Sequence, residues 1–149
     1  MDEFELNLNI LLVETFNTIL EYEDASLKSL IRDPVSVSEA HVIEAVGSKD
    51  GEATVSKVAA MLNIAVPTAT VAIKKLENRG FMTKTQCSHD GRRAFVGLTQ
   101  KGRRVDRAHR LFHNRMVKNI SGEFSEQEKG ILLTAINKLN DFFVAKKEG

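Results

Sequence analysis

The sequence predicts a mainly α chain with one small β element, and three observations carry that prediction. Apolar residues recur at three- and four-residue steps at both ends of the chain, the period of an amphipathic helix: Leu6, Ile10, Leu11, Val13, Phe16, Ile19, Leu20, Leu27 and Leu30, then Ile131, Leu132, Ala135, Ile136, Leu139, Phe142 and Phe143. Between them lie two β-prone runs, Phe81 to Gln86 and Ala94 to Leu98, separated by the turn-forming Ser88 to Arg93. Charge is segregated: Ala53 to Lys118 holds 14 Lys and Arg against 3 Asp and Glu, while Met1 to Glu52 holds 3 against 12, although the formal net charge is only +1.

Each element follows in order. The first helix is expected to end near Arg32, where Asp33-Pro34 stops it. Ser38 is placed to cap a second helix over Glu39 to Val46, with Gly47 and Ser48 to Glu52 as the turn. Thr54 is the expected N-cap of a third helix that buries Val55, Val58, Ala59 and Leu62. Pro67, tolerated in a first turn, opens a fourth that runs to about Arg79 before Gly80 ends it. Two short helices joined by a tight turn and followed by a hairpin with a basic tip make a winged helix-turn-helix. Thr99 caps a long helix from Gln100 to about Ile120, and Ser125 with Glu128 three residues on forms a capping box for the last one. The expected organisation is a single domain over 1–149, with residues 38–99 as the winged part. The long terminal helices, about 1–32 and 100–147, carry more apolar surface than a small core needs and are expected to serve dimerisation.

Composition excludes several function classes. With 149 residues, 42% hydrophobic and 28% charged, the chain can bury one core or half of a shared one. The lone Cys87 leaves no internal disulfide and suits a reducing compartment. No apolar run approaches the ~20 residues of a membrane span and the first residues are acidic, so a cytoplasmic location without membrane contact is expected. No phosphate-cradling Gly-rich loop, nucleophile elbow or Cys/His pair stands out, so neither an enzyme nor a cofactor is expected. Cys87 as a redox switch would lack a resolving cysteine, which makes a passive thiol the expectation.

The basic segment fits a polyanion, because lysines and arginines that neutralise phosphates release counterions. On the fourth helix Ala69, Ala72, Ile73 and Leu76 form an inward stripe, leaving Thr68, Thr70, Val71, Lys74 and Lys75 outward. Short hydroxyls and a small apolar side chain can approach base edges and thymine methyls, and lysines a turn later reach phosphates. Thr54, Ser56 and Pro67 at the helix starts complete the expected face. Arg92 and Arg93 at the hairpin tip are sized for a minor groove, with Asp90 orienting one of them. Double-stranded DNA is the expected partner, as a palindromic operator read by a homodimer. A solvated helix face, or a winged helix that binds a protein partner with little salt dependence on DNA, is the alternative.

These residues resemble the MarR-type winged-helix regulators. The wing pattern D-x-R followed by L-T-x-x-G stands as Asp90-Gly91-Arg92 and Leu98-Thr99-Gln100-Lys101-Gly102, and the fourth helix ends as in that family, in Leu76-Glu77 and Arg79-Gly80. Ala65 departs from a common Ser cap, and Gly91 from a frequent arginine. The stretches from Phe16 to Leu27, from Ser38 to Gly47 and from His109 to Val117 are similar to the FabT branch. That resemblance implies repression of fatty-acid synthesis genes with long-chain acyl-acyl carrier protein as corepressor.

His109 and His113 lie one helical turn apart, a spacing that lets two imidazoles share a metal. With Glu23 and His41 they make four candidate ligands, an arrangement that also resembles the zinc-sensing MarR relatives. The reading preferred here is a hydrogen-bonded polar patch joining helices, with no metal. In that reading Phe16, His41, His109, Phe112 and His113 line an effector pocket.

Overall fold

A computed structural model describes residues 1–49, 51–86 and 94–148. The elements are α1 (Glu3–Leu30), α2 (Val37–Gly47), α3 (Val55–Leu62), α4 (Val66–Asn78), β1 (Met82–Gln86), β2 (Ala94–Leu98), α5 (Gln100–Gly122) and α6 (Glu126–Glu148). Two compact units are present, Met1–Phe112 and His113–Gly149. The mainly α fold with a two-stranded wing is the expected one.

In the first unit the core is centred on α2, which buries Ala40, Val42, Ile43, Ala45 and Val46. Val58 of α3, Ile73 and Leu76 of α4, Phe81, Met82 and Val96 of the wing, and Val105 of α5 close around it. By contrast α1 buries only Glu23 and Leu27. Its apolar stripe at Ile10, Leu11, Val13 and Phe16 is exposed.

Local chemistry sets most boundaries. Asp2 and Glu5 form a capping box at the start of α1, one the sequence reading did not include. The second helix begins at Val37, with its cap two residues before the expected one. Ser36 Oγ accepts from Glu39 N at 3.1 Å and the Glu39 carboxylate accepts from Ser36 N at 3.1 Å. Ser38 cannot build that reciprocal box, because His41 and not a carboxylate stands three residues after it. Thr54 caps α3 as expected, its hydroxyl accepting from Lys57 N at 3.2 Å. Asn63, at φ 53°, ends α3 in the left-handed region that Asn tolerates. The bend from α3 into α4 is 112°, within the range of a helix-turn-helix.

The wing is an antiparallel pair with Met82 opposite Leu98 and Lys84 opposite Val96. Val96 N donates to Ala53 O at 2.8 Å, which ties the entry of α3 to β2. Gly80, at φ +83°, turns the chain out of α4. Thr99 then joins two elements: its hydroxyl donates to Gly80 O at 2.6 Å and accepts from Gly102 N at 3.2 Å, capping α5.

In the second unit Ser125 and Glu128 form the expected capping box on α6, at 2.8 and 3.2 Å. The Ser125 backbone N–H, followed by its hydroxyl, holds the Glu128 carboxyl below its usual range. Ile131, Leu133, Ile136, Phe142, Phe143 and Val144 are exposed along this helix. Among the described residues, no single helix is long and apolar enough to cross a membrane.

Candidate nucleic-acid interface

The outward face of α4 is as the spacing requires. Ala69, Ile73 and Leu76 are buried and Ala72 is half-buried, while Thr68, Thr70, Val71, Lys74 and Lys75 are exposed, Val71 by 64%. An exposed valine amid polar neighbours has a reason if it meets an apolar edge such as a thymine methyl. Thr70 Oγ1 donates to Val66 O at 2.9 Å, which fixes its rotamer. No side chain caps the start of α4, because Ala65 has no acceptor. Its first-turn N–H groups therefore remain available to solvent or to an anion.

Two depressions lie in the winged part, one of them beside this helix. One, of about 580 Å³, has Ser36 and Ser38 of α2 facing Pro67, Thr68, Val71 and Lys75 of α4. The other, of about 710 Å³, is formed by Thr54, Ser56 and Lys57 at the start of α3 with Ala94 and Phe95 at the base of the wing. Thr54 and Ser56 thus line one depression, and Pro67, Thr68, Val71 and Lys75 the other. Ser36 and Ser38, which line the second of these, are not among the expected site residues. The signal was present in the Ser36-x-x-Glu39 box, which fixes where α2 starts. Asp90, Arg92, Arg93 and Cys87 lie outside the described residues.

A polar cluster sits away from that face, inside the first unit. Glu23 of α1 and His109 of α5 are 2% and 1% exposed. His109 Nε2 pairs with Glu23 Oε1, His41 Nε2 of α2 lies 3.2 Å from the same oxygen, and His109 Nδ1 lies 2.5 Å from Glu44 Oε2. The rings of His41 and His109 are 5.3 Å apart. Both nitrogens of the His109 ring thus have a carboxylate within reach, and a metal on the Glu23 side would leave Nδ1 to donate to Glu44. The ligand atoms of Glu23, His41 and His109 lie within 4.8 Å of one another, close enough for one ion. His113 follows His109 by one turn of α5, on the same face of that helix. Glu44 was missed in the sequence, although it stands three residues after His41 on the same helix.

Of the expected effector-pocket residues, His109 and Phe112 are buried on α5, and Tyr22 of α1 meets Phe112 edge-on at 5.1 Å. Phe16 is 64% exposed.

Residues 36–94 match the model of the MarR family. None of the curated proteins matches the chain. Among solved structures, FabT of Streptococcus pneumoniae in complex with DNA is similar at 28% identity, over 95% of this chain and 98% of that one, with a TM-score of 0.87. MepR of S. aureus, also solved with DNA, is 18% identical over 91% of this chain and 97% of that one, with a TM-score of 0.75. ZitR of Lactococcus lactis is 19% identical over 91% and 97%, with a TM-score of 0.59. These last two share the fold. With the matched segment spanning the helix-turn-helix and first wing strand, and the terminal helices aligned over nearly the whole chain of a FabT, residues 36–94 are a MarR-family winged helix-turn-helix segment and the chain has a FabT-like pattern.

Proposed function

We propose that the chain is a homodimeric, DNA-binding repressor of fatty-acid synthesis genes that takes long-chain acyl-acyl carrier protein as corepressor. The observation that carries the DNA reading is the exposed set Thr68, Thr70, Val71, Lys74 and Lys75 on one side of α4, over a buried stripe on the other. The likeness to a DNA-bound FabT over nearly the full chain supports the finer assignment. The dimer is supported by the apolar residues exposed along α1 and along α6, which a second copy would cover. A mass measured under native conditions tests it, with a dimer expected and a monomer contradicting it. For the corepressor, adding long-chain acyl-acyl carrier protein should tighten binding to a promoter duplex of a fatty-acid synthesis gene, and unacylated carrier protein should not. Equal affinities with both would refute the assignment.

A second reading rests on the convergence of Glu23, His41 and His109, with Glu44 behind the ring. That donor set suits zinc, and a carboxylate oriented on the far ring nitrogen is the usual support of a ligating histidine. Under this reading stoichiometric zinc is found in protein purified without added metal or a metal-affinity tag, and a chelator changes DNA affinity. Under the first reading neither is seen.

A further inference from the structure

Four charged groups and one ring meet at the C-terminal end of α4, outside both sites described above. Arg79 donates from Nη1 to Glu39 Oε2 at 2.9 Å, and from Nη2 to Asp33 Oδ1 at 3.2 Å and Pro34 O at 3.0 Å. Lys101, in the first turn of α5, donates to Asp33 Oδ2 at 2.7 Å and to Arg79 O at 2.8 Å. Both cations lie over the buried Phe81 ring, at 5.0 and 4.3 Å from its centroid. The hydrogen bond from Lys101, with a further one from Arg79, holds the Asp33 carboxyl below its ordinary range against an opposing desolvation.

The arrangement has a direction. Asp33 is in the corner between α1 and α2, Glu39 is the box residue of α2, Arg79 ends α4, and Lys101 begins α5. A single exposed ion pair does little, because solvent screens it and two long side chains must be ordered. Here one guanidinium spans three acceptors in fixed directions, which a lysine cannot do. The second cation binds the Arg79 carbonyl, where the helix dipole favours positive charge. The opposite end of α4 has no side-chain cap. Polar anchorage of α4 is thus concentrated at its last turn, on the segment that carries α1 into α2.

We propose that the Arg79–Asp33 pair, with Glu39 and Lys101, is a positioning bracket that sets the angle of α4 against the α1–α2 corner, so that DNA affinity depends on residues that touch no DNA. This rests on the DNA reading above. Arg79 lies after the lysines of the outward face, and its guanidinium is engaged by Glu39, Asp33 and Pro34, so it is not counted as a phosphate contact.

The test uses the full chain and a duplex selected in vitro by the wild-type protein. Arg79→Gln and the milder Asp33→Asn should each weaken binding by roughly three- to thirtyfold, the range of residues that couple elements without touching ligand. The slope of log K against log salt should stay unchanged. Arg79→Lys should restore only part of the affinity. In protein without DNA, amide exchange should quicken in residues 75–81 and 31–36 and not elsewhere. Undiminished affinity in both variants would overturn the proposal. So would a slope shallower by about one unit, the mark of a lost phosphate contact, or exchange quickened throughout the chain, the mark of a merely structural role. Failure of selection to draw any duplex would refute the DNA reading, while the exchange arm would still decide on the bracket.

Discussion

The carbonyl oxygen of Phe81 occupies the space that a Cβ on Gly102 would need. The glycine of the Leu98-Thr99-x-x-Gly102 motif is therefore required by the close approach of the α5 start to the exit from α4, a junction that the Thr99 hydroxyl also ties at Gly80 O. Because the obstacle is backbone, a side chain there must push the two elements apart. Gly102→Ala should cost about 1–3 kcal/mol, as overpacking does, read as a lower denaturant midpoint with unchanged m-value. A wild-type midpoint would show the junction to be loose.

Lys74 and Lys75 are exposed beyond the buried stripe of α4. Lys74→Ala should weaken duplex binding and flatten the salt slope by about one unit, and Arg92→Ala and Arg93→Ala should do the same. Thr68→Ala or Thr70→Ala should instead change which operator positions tolerate substitution. Unchanged binding in all three charge variants would contradict the docking.

Asp106 is raised above the ordinary carboxyl range, by burial first, against the lowering effect of Arg110, whose Nε donates to it at 3.0 Å. Since the folded-state pKa lies above the unfolded one, this group favours the folded state below the unfolded pKa, and that contribution is lost as pH rises through the folded value. Asp106→Asn keeps an acceptor for Arg110 without the charge. Relative to wild type it should gain stability between about pH 3 and neutrality, measured as the difference in denaturation midpoints. A difference that shrinks over that interval would reverse the sign argued here.

His109 and Glu23 form a buried pair whose members depend on each other. His109→Gln leaves a buried carboxylate short of its main partner, a loss of about 3–5 kcal/mol when one member of such a pair is removed. Glu23→Gln combined with His109→Gln should cost less than the sum of the single changes, because no uncompensated charge remains. Strict additivity in the cycle would show that the two do not act as a unit.

Local signals were the most legible part of the sequence. Thr54, Thr99 and the Ser125/Glu128 box announced helix starts because capping chemistry is short-range, and the spacing of Ala69, Ala72, Ile73 and Leu76 gave the inner side of α4. At α2 the cap is Ser36 and not the expected Ser38, because only Ser36 has a carboxylate, Glu39, three residues on. The long-range pairings were not legible. Glu44 behind His109 is separated by 65 positions and Asp33 from Arg79 by 46, and no periodicity within one helix reports which charges meet across the core. The apolar stripe of α1 was visible, but its exposure within one chain depends on what packs against it.

The central claim is that α4 reads duplex DNA as part of a two-fold symmetric regulator. Fluorescence anisotropy with the duplex selected by the full chain, repeated across a salt series, tests this most directly. The account predicts a palindromic selected site with half-sites about one helical turn apart, and log K falling linearly with log salt with a slope of several units. A site without two-fold symmetry, or binding indifferent to salt and to sequence, would contradict it.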